Sequence, residues 1–562
     1  MATYIRLTTF NDSGEKETQY HNKRNHYVLE NQSSFSKIPG SPIAYWGSKK
    51  IIKLLLNDNI IYDIFNVTGS FNKTGCNEKY VRFFWEINNN LLFDIWRVYI
   101  KGGNYRKWYG NNENVVDWSE KAKEYYRNNK TSNLINYEFT AMGGITYTDI
   151  TNTGFYCRLL EQSHIVDMSG PSLFTSNMED VCYYLAFYNS VITPYIIEFL
   201  NPTNHVKIYD IIRIPLIFDS EVKINNIVQN SISISKEEWN SRETSWDFTK
   251  NELLKHKPSS FIKDAVAAYC EHWTTLFNTL HENEVELNRI FLKIYDLEDE
   301  LEPDVALEDV TILRDEAPDR NGGLHFKEEV LVKQFLSYAV GCFFGRYNPH
   351  NDGLVLANTG DSIEAYRERV GRVPSYLLTD NVLPLTDGPY FAQDILALLK
   401  VFLADTFGEE SVSENIDYLA GVLSPRSRAS SEDVIRYYFI KDFYRDHKRM
   451  YQNRPIYWLC TSGEDGAFSA LFYLHRYEPS LPALVRQDYA LRLQARYQAF
   501  NSSLEGEDLS VQRKREDLQR RIRALQAYDV HLKDMADRYI PLDLDDGVKV
   551  NIAKFEGIIE GV

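Results

Sequence analysis

The sequence predicts an α+β fold: a β-rich first part, a long helical linker, then a mainly α-helical C-terminal part. Residue usage predicts the division. Residues 1–150 of the 562 hold 20 Asn and 4 Ala, whereas residues 401–550 hold 3 Asn and 12 Ala. Asn favours turns and Ala favours helix interiors. Apolar periodicity agrees, since short β-branched and aromatic runs fill the start and helical stripes fill the end.

Taken in chain order, YVRFFWEI (80–87), FDIWRVYI (93–100) and GITYTDI (144–150) read as strands punctuated by Gly, Asn and Ser. A helix is predicted from Met178 to Leu200, capped by Asn177, with Val181, Leu185, Tyr188 and Ile192 on one face. Asn201-Pro202 ends it, and IIRIPLIF (211–218) reads as a further strand. From Trp246 to Leu301 a helical stripe through Ala265, Ala268, Cys270, Trp273, Leu276, Phe277 and Leu280 predicts a long helix or helix pair. Glu282, Glu284 and Glu286 read as a solvated acidic face of it. Residues 302–325 read as a loop-rich connector, with 315–323 as a turn. Candidate helices follow in 326–347, 390–408 and 430–452. Val511, Leu518, Leu525 and Leu532 recur every seven residues, with Ile522, Tyr528 and Met535 beside them, as in a coiled-coil-like helix over 504–539. VKVNIAKF (548–555) alternates and predicts a last strand. The expected division is 1–250, 251–325 and 326–562.

Composition excludes several classes. With 44% hydrophobic and 25% charged residues, the chain is neither disordered nor collagenous. Six Cys without a Cys-x-x-Cys pair argue against a disulfide framework or zinc ribbon, and for a reducing cytoplasm. No apolar run approaches the roughly 18 residues of a membrane span, and the first residues carry no apolar signal core. A cytoplasmic protein with no membrane partner is expected. The net charge of −17 is uneven: residues 1–250 carry 26 basic and 27 acidic groups, residues 251–562 carry 36 and 52, and residues 281–330 alone carry 5 and 16. A nucleic-acid face is therefore electrostatically open in the first part. The sequence contains no G-x-x-x-x-G-K-[ST], H-E-x-x-H or G-x-S-x-G and no clustered Cys/His set.

The most distinctive segment is KGGNYRKWYGNN (101–112). Gly102 and Gly103 permit close backbone approach. Lys101, Arg106 and Lys107 offer charge to phosphates or guanine edges, and Tyr105, Trp108 and Tyr109 offer stacking surfaces. Two readings stay open: a DNA contact, or a hairpin tip with Trp108 buried.

The chain resembles, nearly end to end, the C-terminal half of the PglX-type adenine-specific DNA methyltransferases of the BREX (bacteriophage exclusion) systems. The resemblance lies in 31–46, 101–118, DMSGPSLF (167–174), 286–301, 337–354, 439–477 and 542–555. It implies a target-recognition domain followed by helical regions, with double-stranded DNA as partner and the eight residues Lys101, Gly102, Gly103, Tyr105, Arg106, Lys107, Trp108 and Tyr109 as DNA contacts. Over 185–218 it implies a structural scaffold, with packing roles for Pro202, Ile211 and Pro215, and DMSGPSLF reads as a structural turn. In that family the catalytic half uses S-adenosylmethionine and an Asn-Pro-Pro-Tyr/Phe tetrapeptide. This sequence has no Pro-Pro pair, and its Asn-Pro pairs at 201–202 and 349–350 continue with Thr and His. It also lacks the Gly-rich cofactor turn. A flipped adenine needs the tetrapeptide's aromatic to stack on, and the cofactor needs the glycine approach. The expectation is a recognition portion that binds no cofactor itself and has no catalytic residues. It would act with a separately encoded catalytic half or other BREX subunits. The alternative is a protein-interaction scaffold of a defence complex that does not bind DNA. Weaker DNA binding with little loss of folding is expected on changing Arg106, Lys107 and Trp108 to Ala.

Overall fold

The computed structural model describes residues 2–561, except 8–9, 11, 30–34, 36–44, 57–60, 68–69, 153, 179–180, 202, 464–465 and 507. Most of the matched stretch 31–46 and Pro202 lie outside the described residues. The architecture is α+β, as the residue usage predicts.

Strands β1 (Ala2–Ile5) and β2 (His26–Leu29) form an antiparallel pair. Strands β3 (Val81–Phe83), β4 (Trp96–Ile100), β5 (Asn114–Asp117) and β8 (Ile165–Val166) form a mixed sheet in the order β3-β5-β4-β8. Strands β6 (Gly143–Tyr147), β7 (Cys157–Leu160) and β9 (Ser172–Thr175) form an antiparallel sheet in the order β7-β6-β9. Successive side chains of β5 serve two layers: Val115 joins the main core and Val116 a second cluster with Val98, Tyr99, Ile100 and Tyr126. A strand of period two buried on both faces requires that split. Gly144 (φ +146°) lets β6 lie against β9, because a Cβ there would collide with the Leu173 carbonyl oxygen.

The predicted helix 178–200 is two helices, α1 (Val181–Asn189) and α2 (Ile192–Leu200). The break at Ser190-Val191 is held from outside by the Val191 N–H, which donates to Asn288 Oδ1 at 2.9 Å, and from within by Ser190 Oγ, which donates to the Phe187 carbonyl of α1 at 2.7 Å. Residues 179–180, in the turn Asn177 was expected to cap, lie outside the described residues. The predicted strand 211–218 is not one. A helical turn (Ile208–Ile211) leads into irregular chain. Pro215 has no N–H to give a ladder, and Tyr295 replaces the missing partner. Its hydroxyl donates to the Pro215 carbonyl at 2.9 Å and accepts from the Ile217 N–H at 3.1 Å.

Helix α3 (Asn225–Asn240) is not anticipated by the apolar pattern, because its buried face is Val228, Ser231, Ile234, Ser235 and Glu238. The long helix is α4 (Ile262–Ile294), 33 residues. Its stripe Trp273, Phe277, Leu280, Leu287 and Phe291 lies in one hydrophobic cluster that extends from Ile51 to Tyr473. The connector 302–325 is loop-rich as expected, and the buried Arg320 organises it by donating to the carbonyls of Leu307, Val310, Ile312 and Ala317.

The later helices are α5 (Glu328–Phe343), α6 (Ile395–Phe407), α7 (Val412–Leu423), α8 (Ser431–Lys441), α9 (Phe443–Met450), α10 (Leu491–Ser503) and α11 (Leu509–Arg538). Among them sits a sheet of β10 (Leu383–Pro384), β11 (Tyr457–Thr461) and β12 (Ser469–Tyr473), in the order β10-β12-β11. The heptad residues Leu518, Leu525 and Leu532 are buried, with α11 packed on α10. The tail is not a strand: Val548–Ile552 is helical. Glu86 accepts the Val548 N–H at 3.1 Å, which satisfies the first turn of that helix, and Ile559 supplies the strand-like bridge to Cys460 instead.

Tyr295→Phe keeps the ring packing and strips two buried backbone groups of their partner. The expected loss is about 1–3 kcal/mol, read from the urea unfolding midpoint. An unchanged midpoint would show that the phenol does not hold segment 212–218.

Candidate nucleic-acid interface

The segment 101–112 leaves β4 and returns into β5. It begins at a turn of the DMSG stretch. Asp167 Oδ1 accepts from the Ser169 N–H at 2.9 Å, and Ser169 Oγ lies 2.5 Å from Asp167 Oδ1 and 2.7 Å from the Lys101 carbonyl oxygen, with its one proton shared between the two acceptors. Tyr99 donates to Asp167 Oδ2 at 2.5 Å, with Lys101 Nζ 3.6 Å from the same oxygen. A Cβ at Gly170 would come within 2.8 Å of the Ile100 carbonyl oxygen, so this turn needs glycine to pack on β4.

Past Tyr105 the loop turns inward. Arg106, Lys107, Trp108 and Tyr109 are buried. Arg106 donates to Glu238 of α3, to the Ser235 carbonyl at 3.0 Å and to the Tyr109 carbonyl at 2.6 Å, and its guanidinium lies 4.8 Å from the Trp239 ring. Glu238 is shared. Arg242 donates to its other oxygen at 2.6 Å and the Leu313 N–H at 2.8 Å, and Arg242 also reaches Glu316 at 2.9 Å. Burial alone would raise the Glu238 pKa, but Arg106 and Arg242 hold it well below the usual carboxylate range.

Lys107 Nζ lies 2.7 Å from Glu284 Oε2, and Trp108 Nε1 donates to Glu284 Oε1 at 2.8 Å. Burial alone would lower the Lys107 pKa; Glu284 more than offsets it, and the net shift is upward. The backbone is strained here. Trp108 has φ +69° and Asn111 φ +57°, in the left-handed region. Trp108 is pinned there by its N–H to the Cys157 carbonyl (3.0 Å) and its carbonyl to the Leu159 N–H (2.8 Å).

These positions differ from an exposed basic, aromatic loop. Glu284 is not part of a solvated acidic face; it is buried as the shared acceptor of Lys107 and Trp108. Arg106, Lys107 and Trp108 face inward, so their replacement by Ala cannot leave folding intact as expected from the sequence. Tyr105 is half-buried, edge-on to Tyr156, with the Arg314 guanidinium 4.7 Å from its ring. Gly102 is buried, with a Cβ there coming within 2.7 Å of the Ser169 carbonyl oxygen. Lys101 and Gly103 keep solvent-facing surface. The residues sequence reasoning missed are Glu238 of α3 and Arg242 just past its end; with Glu284 of α4, read from sequence as solvated, they complete the network from more than a hundred residues away.

Beyond Arg242, Glu243 is buried with Tyr451 donating to it at 3.1 Å, and desolvation pushes its pKa up to about 7. Among the described residues, no three His, Cys, Asp or Glu side chains are grouped to hold a metal ion. No described helix is long and apolar enough to cross a membrane.

No protein-family model matches the chain. Its homologues over its full length are adenine-specific methyltransferases of the PglX/BrxX type. Adenine-specific methyltransferase PglX of Lacticaseibacillus casei (strain Zhang) is 34% identical over 594 aligned residues, covering 99% of this chain and 48% of that protein. Adenine-specific methyltransferase BrxX of Escherichia coli O9:H4 (strain HS) is 32% identical over 585, covering 100% and 48%. The chain thus spans about half the length of the curated relatives it matches.

Two outcomes test this core. Arg106→Ala leaves Glu238 short of a partner in a buried network and should cost roughly 3–5 kcal/mol, whereas Lys101→Ala should cost under about 1 kcal/mol. Chemical denaturation of both variants checks the contrast. Glu243 has a folded-state pKa raised from 4.5 to about 7, so the folded chain holds a proton that the unfolded chain has released across that window. Its contribution to stability therefore falls as pH rises through it. Glu243→Gln should remove that decline, measured as the change in unfolding midpoint between about pH 5 and pH 7.5.

Proposed function

We propose that this chain is the DNA target-recognition and scaffold portion of a PglX-like, site-specific adenine methyltransferase. On this reading it serves BREX anti-phage defence by marking host DNA, together with a catalytic half. The observation that carries the reading is the end-to-end similarity to 48% of each of two adenine-specific methyltransferases. The sequence has neither the Asn-Pro-Pro-Tyr/Phe tetrapeptide nor the Gly-rich turn, so S-adenosylmethionine and the methyl-transfer step fall to the catalytic half. Double-stranded DNA is the substrate partner, and the catalytic half and other BREX subunits are the protein partners.

The fold suits such a role. Loop 101–112, which joins β4 to β5, is tied to α3 and α4 by buried ion pairs and to β7 by backbone hydrogen bonds of Trp108, so a duplex bound near the loop would be held in fixed relation to both. Within loop 101–112, Lys101, Gly103 and Asn104 are the positions able to approach a duplex, and Tyr105 stands behind them. The heptad stripe supplies no support for the scaffold-only alternative, because its leucines are already packed within the chain.

Two assays test the reading. The purified chain should bind duplex DNA with an affinity that falls steeply with salt, because phosphate contacts release counterions. It should transfer no methyl group from radiolabelled S-adenosylmethionine until a catalytic half is added. Methylation of adenine by the chain alone, or no duplex binding at low salt, would overturn it.

A further inference from the structure

Helix α11 carries a charge pattern unlike the rest of its half of the chain. Residues 509–526 hold six basic and two acidic side chains, inside a 251–562 stretch with 36 basic and 52 acidic. The inner side of the helix is fully employed. Leu518, Leu525 and Leu532 are buried, and Arg521 pairs with Asp387 at 2.6 Å and Asp517 at 2.8 Å. Arg515 donates to the Leu504 carbonyl at 3.1 Å.

The outer side is different. Arg513, Glu516, Gln519, Arg520, Arg523 and Gln526 are all exposed. Arg513, Lys514 and Arg523 are in no ion pair among the described residues. Arg520 is paired only to Asp517 on the same helix, with its side chain 53% exposed. Such a pair contributes little. At 1.5 Å rise per residue, Arg520 and Arg523 stand about 10 and 15 Å along the axis from Arg513, on one side of the helix. Arg513 and Arg523 have no ion-pair partner and Arg520 has only Asp517 among the described residues, so even with Glu516 among them the side keeps a surplus of positive charge that a polyanion neutralises. Between Arg513 and Arg523 no large apolar side chain of the kind that anchors protein partners is exposed; the two that are exposed on this side of α11, Leu509 and Val530, flank the stretch. Guanidinium and carboxamide groups are instead what phosphates and base edges accept.

We infer that the outer face of α11, through Arg513, Arg520 and Arg523, is a contact surface for the phosphate backbone of duplex DNA. The inference rests on the recognition role proposed above and adds the surface that grips the duplex. It also accounts for how a chain of net charge −17 approaches DNA: the local field of one face, rather than the net charge, steers the encounter.

The test is fluorescence anisotropy with a labelled duplex of about 30 base pairs, titrated from roughly 50 to 200 mM salt. It compares the intact 562-residue chain with the triple variant Arg513→Gln, Arg520→Gln, Arg523→Gln. Gln preserves helix propensity, and circular dichroism and the thermal midpoint check folding. A control variant, Arg445→Gln with Arg449→Gln, removes two side chains 69% and 80% exposed on α9. The expected result is roughly a tenfold or greater loss of affinity in the triple variant. Its salt slope should be shallower by about two to three, since each lost phosphate contact removes close to one. The control should match the unaltered chain. Equal affinity and slope in the triple variant would overturn the inference and leave the recognition role standing. So would an equal loss in the control, which would indicate diffuse electrostatics. No binding by the unaltered chain at low salt would overturn both.

Discussion

The structure depends on a buried charge network that joins its sheets to its helices. Arg106 and Arg242 converge on Glu238, and Arg242 continues to Glu316, while Lys107 and Trp108 converge on Glu284. Each carboxylate is costly to bury alone and each cation likewise. Once assembled, none can leave without stranding another. The network therefore acts less as a source of net stability than as a registry device. It fixes loop 101–112 against α3, α4 and the connector in one arrangement, and it holds Trp108 at a backbone angle that Trp does not choose for itself.

That arrangement has mechanical consequences. The loop ends lie in β4 and β5 of one sheet, and its middle bridges to β7 of the other through the Trp108 pairing with Cys157 and Leu159. Glu238 and Glu284 lie on helices that share their apolar cluster with the later part of the chain, and Glu316 lies in the connector between them and α5. Arg82 and Trp96 near the sheet edge reach Asp545 at the other end of the sequence, at 2.8 and 3.2 Å. Displacement of either sheet is therefore resisted by polar contacts from several directions. The recognition role proposed above would call for such stiffness, because misplacement of a base on the ångström scale costs orders of magnitude in rate.

Much of the fold was legible in the sequence. Strand periodicity located β3, β4 and β6, and the stripe through Trp273 and Phe277 located α4. The heptad residues found the inner side of α11. The failures have physical reasons. Helix α3 buries Ser231, Ser235 and Glu238 where an amphipathic pattern shows leucines. Segment 211–218 has strand composition, but Pro215 and the Tyr295 hydroxyl settle its backbone. Residues 548–552 alternate like a strand, yet Glu86, 462 positions away, accepts the first N–H of a helix there. In each case the deciding partner is distant in sequence, and local pattern cannot encode it.

Loop 101–112 shows why cations beside aromatics are ambiguous. The features that suit nucleic acid, guanidinium groups, ring faces and glycines, are also those of a cation held inside a protein, where rings such as Trp239 line the cavity and glycines admit close packing. Two classes of basic residue can nevertheless be told apart by their helical partners. Glu284 falls on the stripe of α4 between Leu280 and Leu287, and Glu238 falls on the buried face of α3 after Ser235. A carboxylate on the buried stripe of a helix implies an incoming cation, since it cannot be left unpaired there. Arg106 and Lys107 answer that requirement. Arg513, Arg520 and Arg523 occupy the reverse position, opposite the leucine seam of α11, where, among the described residues, only Arg520 has an ion-pair partner, the half-exposed Asp517 of the same helix. The cations that fold this protein and those available to a partner are distinguished by which side of a helix their counter-charges occupy.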